Sequence, residues 1–386
     1  MDTKLVAAVA IVVAIVAVGA FFAMSGGSSS PAAAPSPAAT HAVSKTAGSA
    51  AGCPQGSVVL RGSGSTFVWP AMNAWAKGFH EECPSVTVEY SGGGSGKGQK
   101  DIIQRLVDFA GSDPPLARKF YEKYRGKIIQ FPVVLGAVVV TYNVPELSGK
   151  QLRLDGEVLA KIYLGEIRYW DDPAIKKLNP DVAGLLPHKE IVAVHRSDAS
   201  GTTQIFTTFL YKASHGLWPK SLVGKTIDWP VDKKGRGIGQ QGNPGVTQAV
   251  VNTPYSIGYI EWAYAIEHGL PVALVKNPAG RFVAPSRESV SAAFKLRNPP
   301  SPLDDWTSTA EKFVYSDASP DAYPIAGQTF MILWRSGYSQ DKCHALKAFI
   351  DYIAGKGQDV IPRGYAPLPD SMRAVARKAA ELLECG

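Results

Sequence analysis

Four short segments carry the residue types that could do chemistry. They read Gly62-Ser-Gly-Ser-Thr-Phe67, Gly92-Gly-Gly-Ser-Gly-Lys97, Phe109-Ala-Gly-Ser-Asp113 and His195-Arg-Ser-Asp-Ala-Ser-Gly-Thr202. Hydroxyl side chains such as Thr66, Ser95, Ser200 and Thr202 donate hydrogen bonds without bulk. Glycines such as Gly201 let backbone N–H groups come close to a ligand. Arg196 adds a planar fork that can hold an oxyanion with two parallel bonds. A dehydrated tetrahedral anion needs this set of donors, and more so if the segments open helices, whose free N–H groups and dipole favour negative charge.

Asp113 does not fit a plain anion site, because a carboxylate repels an anion. Phosphate near neutral pH, however, keeps a proton on one oxygen and can donate it to an acceptor-only group. Sulfate has no such proton and would face Asp113 as an unpaired like charge, so the carboxylate would discriminate between the two.

Each segment has a plainer reading when taken alone. A Gly/Ser run is ordinarily a turn, Asp113 before Pro114 is ordinarily a turn former or cap, and Arg196 with Asp198 is ordinarily a surface ion pair. Lys97 reads as a solvated loop lysine and His195 as structural. The run ending at Lys97 is also not a nucleotide-hydrolase phosphate loop. That motif needs a glycine where Ser91 stands and a hydroxyl where Gly98 stands.

The segments gain weight from their placement. Residues 57–60, 86–90 and 109–111 read as strands, and residues 70–80 and 98–107 as amphipathic helices with apolar residues at helical spacing. This βαβαβ order calls for a parallel sheet. Ligands of such sheets sit at the C-terminal strand ends, where the first three segments fall. The fourth follows the same plan, with a strand at 191–195, a turn at 196–200 and a helix from 201 to 210.

The rest of the chain bounds the setting. At 386 residues it is long enough for two domains. The net charge of +7 comes from scattered residues with no long basic run, which argues against a nucleic-acid partner. Residues 5–24 form an uninterrupted apolar run preceded by Lys4, long enough to span a bilayer. Residues 1–24 are thus expected to be a transmembrane anchor or, alternatively, a cleaved signal segment. Either reading sends the remainder outside the cytoplasm. Residues 25–52, rich in Ser, Ala, Gly and Pro, read as a linker.

Cys53, Cys83, Cys343 and Cys385 show no metal-ligand spacing. Outside the cell they are expected to form two disulfides rather than remain free thiols. A βαβ unit returns the chain to the start of its first strand, which favours Cys53–Cys83 and leaves Cys343–Cys385.

The stretches Gly62-Ser-Gly-Ser-Thr-Phe67, Gly94-Ser-Gly96, Val107-Asp-Phe-Ala-Gly-Ser-Asp113 and His195-Arg-Ser-Asp-Ala-Ser-Gly-Thr202 together resemble the phosphate-binding proteins of ABC-type phosphate importers, over most of residues 57–369. Further matching stretches are Ile162-Tyr-Leu-Gly-Glu-Ile-Arg-Tyr-Trp-Asp-Asp172, Ile257-Gly-Tyr-Ile-Glu-Trp-Ala-Tyr264 and Tyr365-Ala-Pro-Leu-Pro369. The resemblance implies an α/β, two-lobed periplasmic-binding-protein-like fold of type II with the ligand in the cleft between lobes. Lobe one would hold residues 53–132 and 324–386, and lobe two residues 133–323. It implies phosphate ligands Thr66, Phe67 through its backbone, Ser95, Asp113, Arg196, Ser200, Gly201 and Thr202, with Asp198 bracing Arg196. The implied partners are inorganic phosphate and the permease subunits of an ABC transporter. Two departures stand out: Val68-Trp-Pro70 follows Phe67, and Lys97 stands where relatives often carry a small residue.

The runner-up is a binding protein for another tetrahedral oxyanion such as sulfate or molybdate. A secreted phosphatase would need a nucleophile with a positioned base or a metal cluster. The scattered histidines offer neither, so the chain is expected to be a binding protein without a cofactor and not an enzyme.

Overall fold

The computed structural model describes residues 52–386. The apolar segment 1–24 and all but the last residue of the linker 25–52 lie outside them. Among the described residues no helix is long and apolar enough to cross a membrane.

The strands in chain order are β1 (Val58–Gly64), β2 (Val86–Gly92), β3 (Phe109–Ser112), β4 (Ile128–Asn143), β5 (Arg153–Leu154), β6 (Val192–Arg196), β7 (Gly237–Gln240), β8 (Ser256–Glu261), β9 (Leu274–Lys276), β10 (Phe282–Val283), β11 (Ala326–Trp334) and β12 (Tyr365–Ala366). The large sheet runs β2-β1-β3-β11-β4-β8-β6-β7, with β12 added beside β4, and β10-β9-β5 form a small second sheet. The expected parallel unit is present, since β1 pairs in parallel with both β2 and β3. The fourth unit is parallel as well, with β6 between β7 and β8.

The long strand β4 changes partner along its length. It pairs with β11 from Ile128 to Ala137 and with β8 from Val138 to Asn143. Its near-continuous apolar sequence, Ile-Ile-Gln-Phe-Pro-Val-Val-Leu-Gly-Ala-Val-Val-Val-Thr-Tyr, is buried along almost its whole length, as expected of a strand covered on both faces.

Helices cover the sheet. Trp69–Glu82 buries Ala71, Met72, Trp75 and Phe79, and Gln340–Ala354 buries Leu346, Phe349, Ile350 and Ile353. Phe79 and Phe349 meet at 5.1 Å between ring centroids. Both expected disulfides are formed, Cys53–Cys83 and Cys343–Cys385.

Two boundaries differ from the sequence reading. The strand expected to end at residue 60 runs on as far as Gly64. Gly62 is there because the ring of Phe109 lies 2.4 Å from where a Cβ would stand, a close-packing need that looks like turn composition in sequence. The helix expected from 98 begins at Ser95, so the second Gly/Ser segment is itself a helix N-terminus.

Candidate functional site

The four segments converge. The first leaves the end of β1, the third ends β3, and the fourth ends β6, while the second and fourth open the helices Ser95–Ile103 and Gly201–Ala213. Ser65 N donates to Gly111 O at 2.8 Å and Gly94 N to Gly64 O at 2.9 Å, tying the first three together. The fourth joins through Gly96 N, which donates to Ala199 O at 2.8 Å. Gly201 is pressed so closely on the third and second segments that an added Cβ would lie 2.4 Å from both Asp113 Oδ2 and Ser95 Oγ.

Asp113 is 1% exposed and sits among donors. Its Oδ1 accepts from Ser65 Oγ at 2.6 Å and Thr329 Oγ1 at 2.8 Å. Its Oδ2 accepts from Ser95 Oγ at 3.2 Å, and its own N–H donates to that hydroxyl at 3.1 Å. Burial pushes the carboxyl up to about 6, against the lowering pull of Ser65, Thr329, Arg196 and Ser95. Near neutral pH it is therefore a carboxylate held in place by hydroxyls.

Arg196, 3% exposed, lies against Asp198 and Thr202. Its Nε donates to Asp198 Oδ1 at 2.6 Å, its Nη2 to Asp198 Oδ2, and its Nη1 to Thr202 Oγ1 at 3.3 Å. Ser200 caps its helix by accepting from Thr203 N at 3.1 Å. The first N–H groups of that helix, Gly201 and Thr202, have no partner within it, so they add to the donors gathered here.

Two of the residues singled out in the sequence are engaged within the protein itself. The Phe67 N–H is engaged by Ser65 Oγ at 2.9 Å, and the Phe67 ring is buried edge-on to Tyr365. Lys97 pairs with Asp101, which also accepts from Ser63 Oγ at 2.6 Å, so its ammonium is directed to its own helix. His195 is structural: its Nε2 lies 2.8 Å from Asp232 Oδ1, and its ring stacks on Trp229. A cavity of about 190 Å³ borders Asp113 and is lined by Pro114, Gln204, Ile205, Lys225 and Gln328; Thr66, Arg196 and Thr202 take no part in it.

A family model described as a PBP superfamily domain matches residues 32–356. The phosphate-binding protein PstS of Methanocaldococcus jannaschii is 40% identical over 339 residues, which is 85% of this chain and 87% of that protein. Phosphate-binding protein PstS 3 of Mycobacterium leprae is 37% identical over 334 residues, covering 85% and 88%. The chain belongs to the PBP superfamily and, within it, to the PstS family. Among solved structures, a high-affinity periplasmic phosphate-binding protein with phosphate bound superposes with a TM-score of 0.66 at 23% identity, over 83% of this chain and 93% of that one. A phosphate-binding protein from Stenotrophomonas maltophilia gives 0.63 at 19%, over the same shares. At these identities the likeness is one of fold, and it places the chain in the α/β periplasmic-binding-protein-like class.

The site also holds residues that the sequence reading did not single out. Thr329, in the middle of β11, completes the cage of Asp113 but sits in an apolar strand with no local signal. Tyr264 OH donates to Thr66 O at 2.7 Å, and Arg196 N donates to Tyr259 OH at 3.1 Å. Asn243 reaches both Thr66 and Thr202. It did carry a signal, since Gln240-Gln-Gly-Asn-Pro-Gly245 is a fifth Gly/polar run between a strand and a helix. Next to it Glu261, fully buried, caps the helix Trp262–Glu267 through its Oε2. Burial holds that carboxyl well above the usual range.

Proposed function

We propose that the chain captures inorganic phosphate outside the cytoplasm and delivers it to the permease of an ABC importer, in keeping with its PstS relatives, which are phosphate-binding proteins. The observation that carries this reading is Asp113, an acceptor-only carboxylate caged by the donors Ser65, Thr329 and Ser95 within a cluster otherwise rich in donors. Such a group accepts the proton of hydrogen phosphate and turns away fully deprotonated sulfate. The proposed ligand set is Thr66, Phe67, Ser95, Asp113, Arg196, Ser200, Gly201 and Thr202, with Asp198 holding Arg196. For Phe67 the N–H must first leave Ser65 Oγ, which now accepts it.

We further propose that the chain forms two lobes, residues 53–132 with 324–386 and residues 133–323, closing around the anion by hinge motion. The change of partner along β4 between Ala137 and Val138, a few residues past that boundary, supports it. The apolar segment 5–24 would hold the chain at the membrane, or release it after cleavage. Binding of another oxyanion and phosphatase activity are the disfavoured readings, the first because of Asp113.

The test is calorimetric titration of wild type and Asp113→Asn with phosphate and with sulfate. The reading expects phosphate binding well above sulfate in wild type and a narrower gap in the variant. Unchanged affinities for both anions in Asp113→Asn would refute the role given to the carboxylate.

A further inference from the structure

Asn243 lies at the start of the helix Gly242–Asn252 and is fully buried. It meets Thr66, which is 177 positions away in the chain, with two donors: its backbone N and its Nδ2 each lie 3.0 Å from Thr66 Oγ1. The same Nδ2 lies 3.2 Å from Thr202 Oγ1. The amide cannot be turned around, because its Oδ1 accepts the Glu261 N–H at 2.9 Å. The nitrogen therefore faces the two threonines.

A hydroxyl has two acceptor positions and one proton to give. Both acceptor positions of Thr66 Oγ1 are taken by Asn243. Those of Thr202 Oγ1 are taken by Asn243 Nδ2 and Arg196 Nη1. What each hydroxyl has left is its proton. In a cluster crowded with N–H and O–H donors, the natural acceptor for those two protons is a bound anion.

We propose that Asn243 is a positioning residue for anion capture: by saturating the acceptor side of Thr66 and Thr202, it fixes both hydroxyls as donors toward the ligand. This rests on the phosphate reading above and adds to it how the donor polarity of the site is set. Without Asn243, either hydroxyl could rotate to present a lone pair to the anion, which is repulsive. The residue also bridges the end of β1 to the helix Gly201–Ala213, so the hydroxyls become oriented only when these elements are together.

The test is calorimetric titration of inorganic phosphate into the full chain as wild type, Asn243→Ala, Thr66→Val and the double variant. If wild type fails to bind phosphate, the reading of the site fails before this one is reached. Given wild-type binding, Asn243→Ala is expected to weaken it roughly tenfold, and by no more than about threefold in the Thr66→Val background, where one of the hydroxyls to be oriented is gone. Equal losses in the two backgrounds, or no loss from Asn243→Ala, overturn the proposal. Alanine also leaves the Glu261 N–H without its acceptor, so Asn243→Asp serves if that variant does not fold. It keeps the acceptor, turns the donor into an acceptor and adds a carboxylate charge, whose repulsion of the anion is the same in both backgrounds and cancels in the comparison. Its loss in wild type, expected to exceed that of alanine, must likewise shrink about threefold or more in the Thr66→Val background, and an unchanged loss contradicts the proposal.

Discussion

Arg196 and Asp198, two residues apart, form a buried side-on pair in which Nε lies 2.6 Å from Oδ1 and Nη2 contacts Oδ2. The pair uses one edge of the guanidinium and leaves Nη1 on the side of Thr202. Asp198 Oδ1 also accepts from Gly242 N at 3.0 Å, so the carboxylate is itself fixed from the helix that carries Asn243.

That arrangement ranks three substitutions. Arg196→Lys keeps the charge but cannot both grip Asp198 and present a second nitrogen, and it should weaken phosphate binding by about 1.5–3 kcal/mol. Asp198→Asn should cost less, because the arginine keeps its charge and loses part of its brace. Lys97→Ala should cost least, since Lys97 is occupied by Asp101. Parallel titrations give the order, and a larger loss from Lys97→Ala than from the other two would contradict the ligand set.

Anion selectivity should depend on pH through Asp113. Its carboxyl is pushed up to about 6. Above that value it is an acceptor and excludes sulfate. Below it the group carries a proton and can donate to sulfate. Competition titrations should show the preference for phosphate over sulfate shrinking between pH 7 and pH 5, while in Asp113→Asn the preference should be small and much flatter with pH.

The same group should tax the stability of the ligand-free fold. Its carboxyl rises from 3.8 to about 6 on folding, so the folded state holds the proton more tightly. The stabilisation from this proton is complete below about pH 4 and is lost as pH rises through about 6. The change is on the order of 2–3 kcal/mol by linkage. Chemical denaturation of wild type and Asp113→Asn across pH 4–8 isolates it: without phosphate, the variant should gain on wild type as pH rises. A constant difference between the two would show that burial does not perturb the carboxyl.

Gly96 offers a steric test of the convergence. An added Cβ would lie 2.3 Å from Ala199 Cβ, at the point where Gly96 N donates to Ala199 O. Gly96→Ala should hold the second and fourth segments apart. Its backbone angles need no glycine, so the fold itself should survive. Phosphate affinity is expected to fall about tenfold or more with little change in thermal stability, taking one lost hydrogen-bond contact with the anion as the guide. Unaltered affinity would mean that the two segments need not touch for the ligand to be held.

Much of this arrangement was legible in the sequence because its pieces are local. The β1–β3 unit follows from alternating strands and amphipathic helices, and the Cys53–Cys83 bridge from the return path of that unit. Thr66, Ser95, Asp113, Arg196 and Thr202 stood out because each lies in a Gly/Ser segment at a strand end. What escaped depends on distance or on contact. Thr329 is 216 residues from the Asp113 carboxylate it binds, and nothing in an apolar strand marks it. Gly62 looked like punctuation, whereas a phenylalanine ring across the sheet requires it. Asn243 shared the strand–glycine–helix pattern, but its role appears only once Thr66 and Thr202 are seen on the same amide.

The central claim is that a buried carboxylate lets this site choose hydrogen phosphate over sulfate. The most direct measurement is calorimetric titration of the protein near pH 7.5 with phosphate, and then with sulfate in place of phosphate. The account predicts saturable binding of one phosphate per chain and no measurable heat of binding from sulfate over the same concentrations. Sulfate binding as tightly as phosphate, or displacing it at equal concentration, would contradict it.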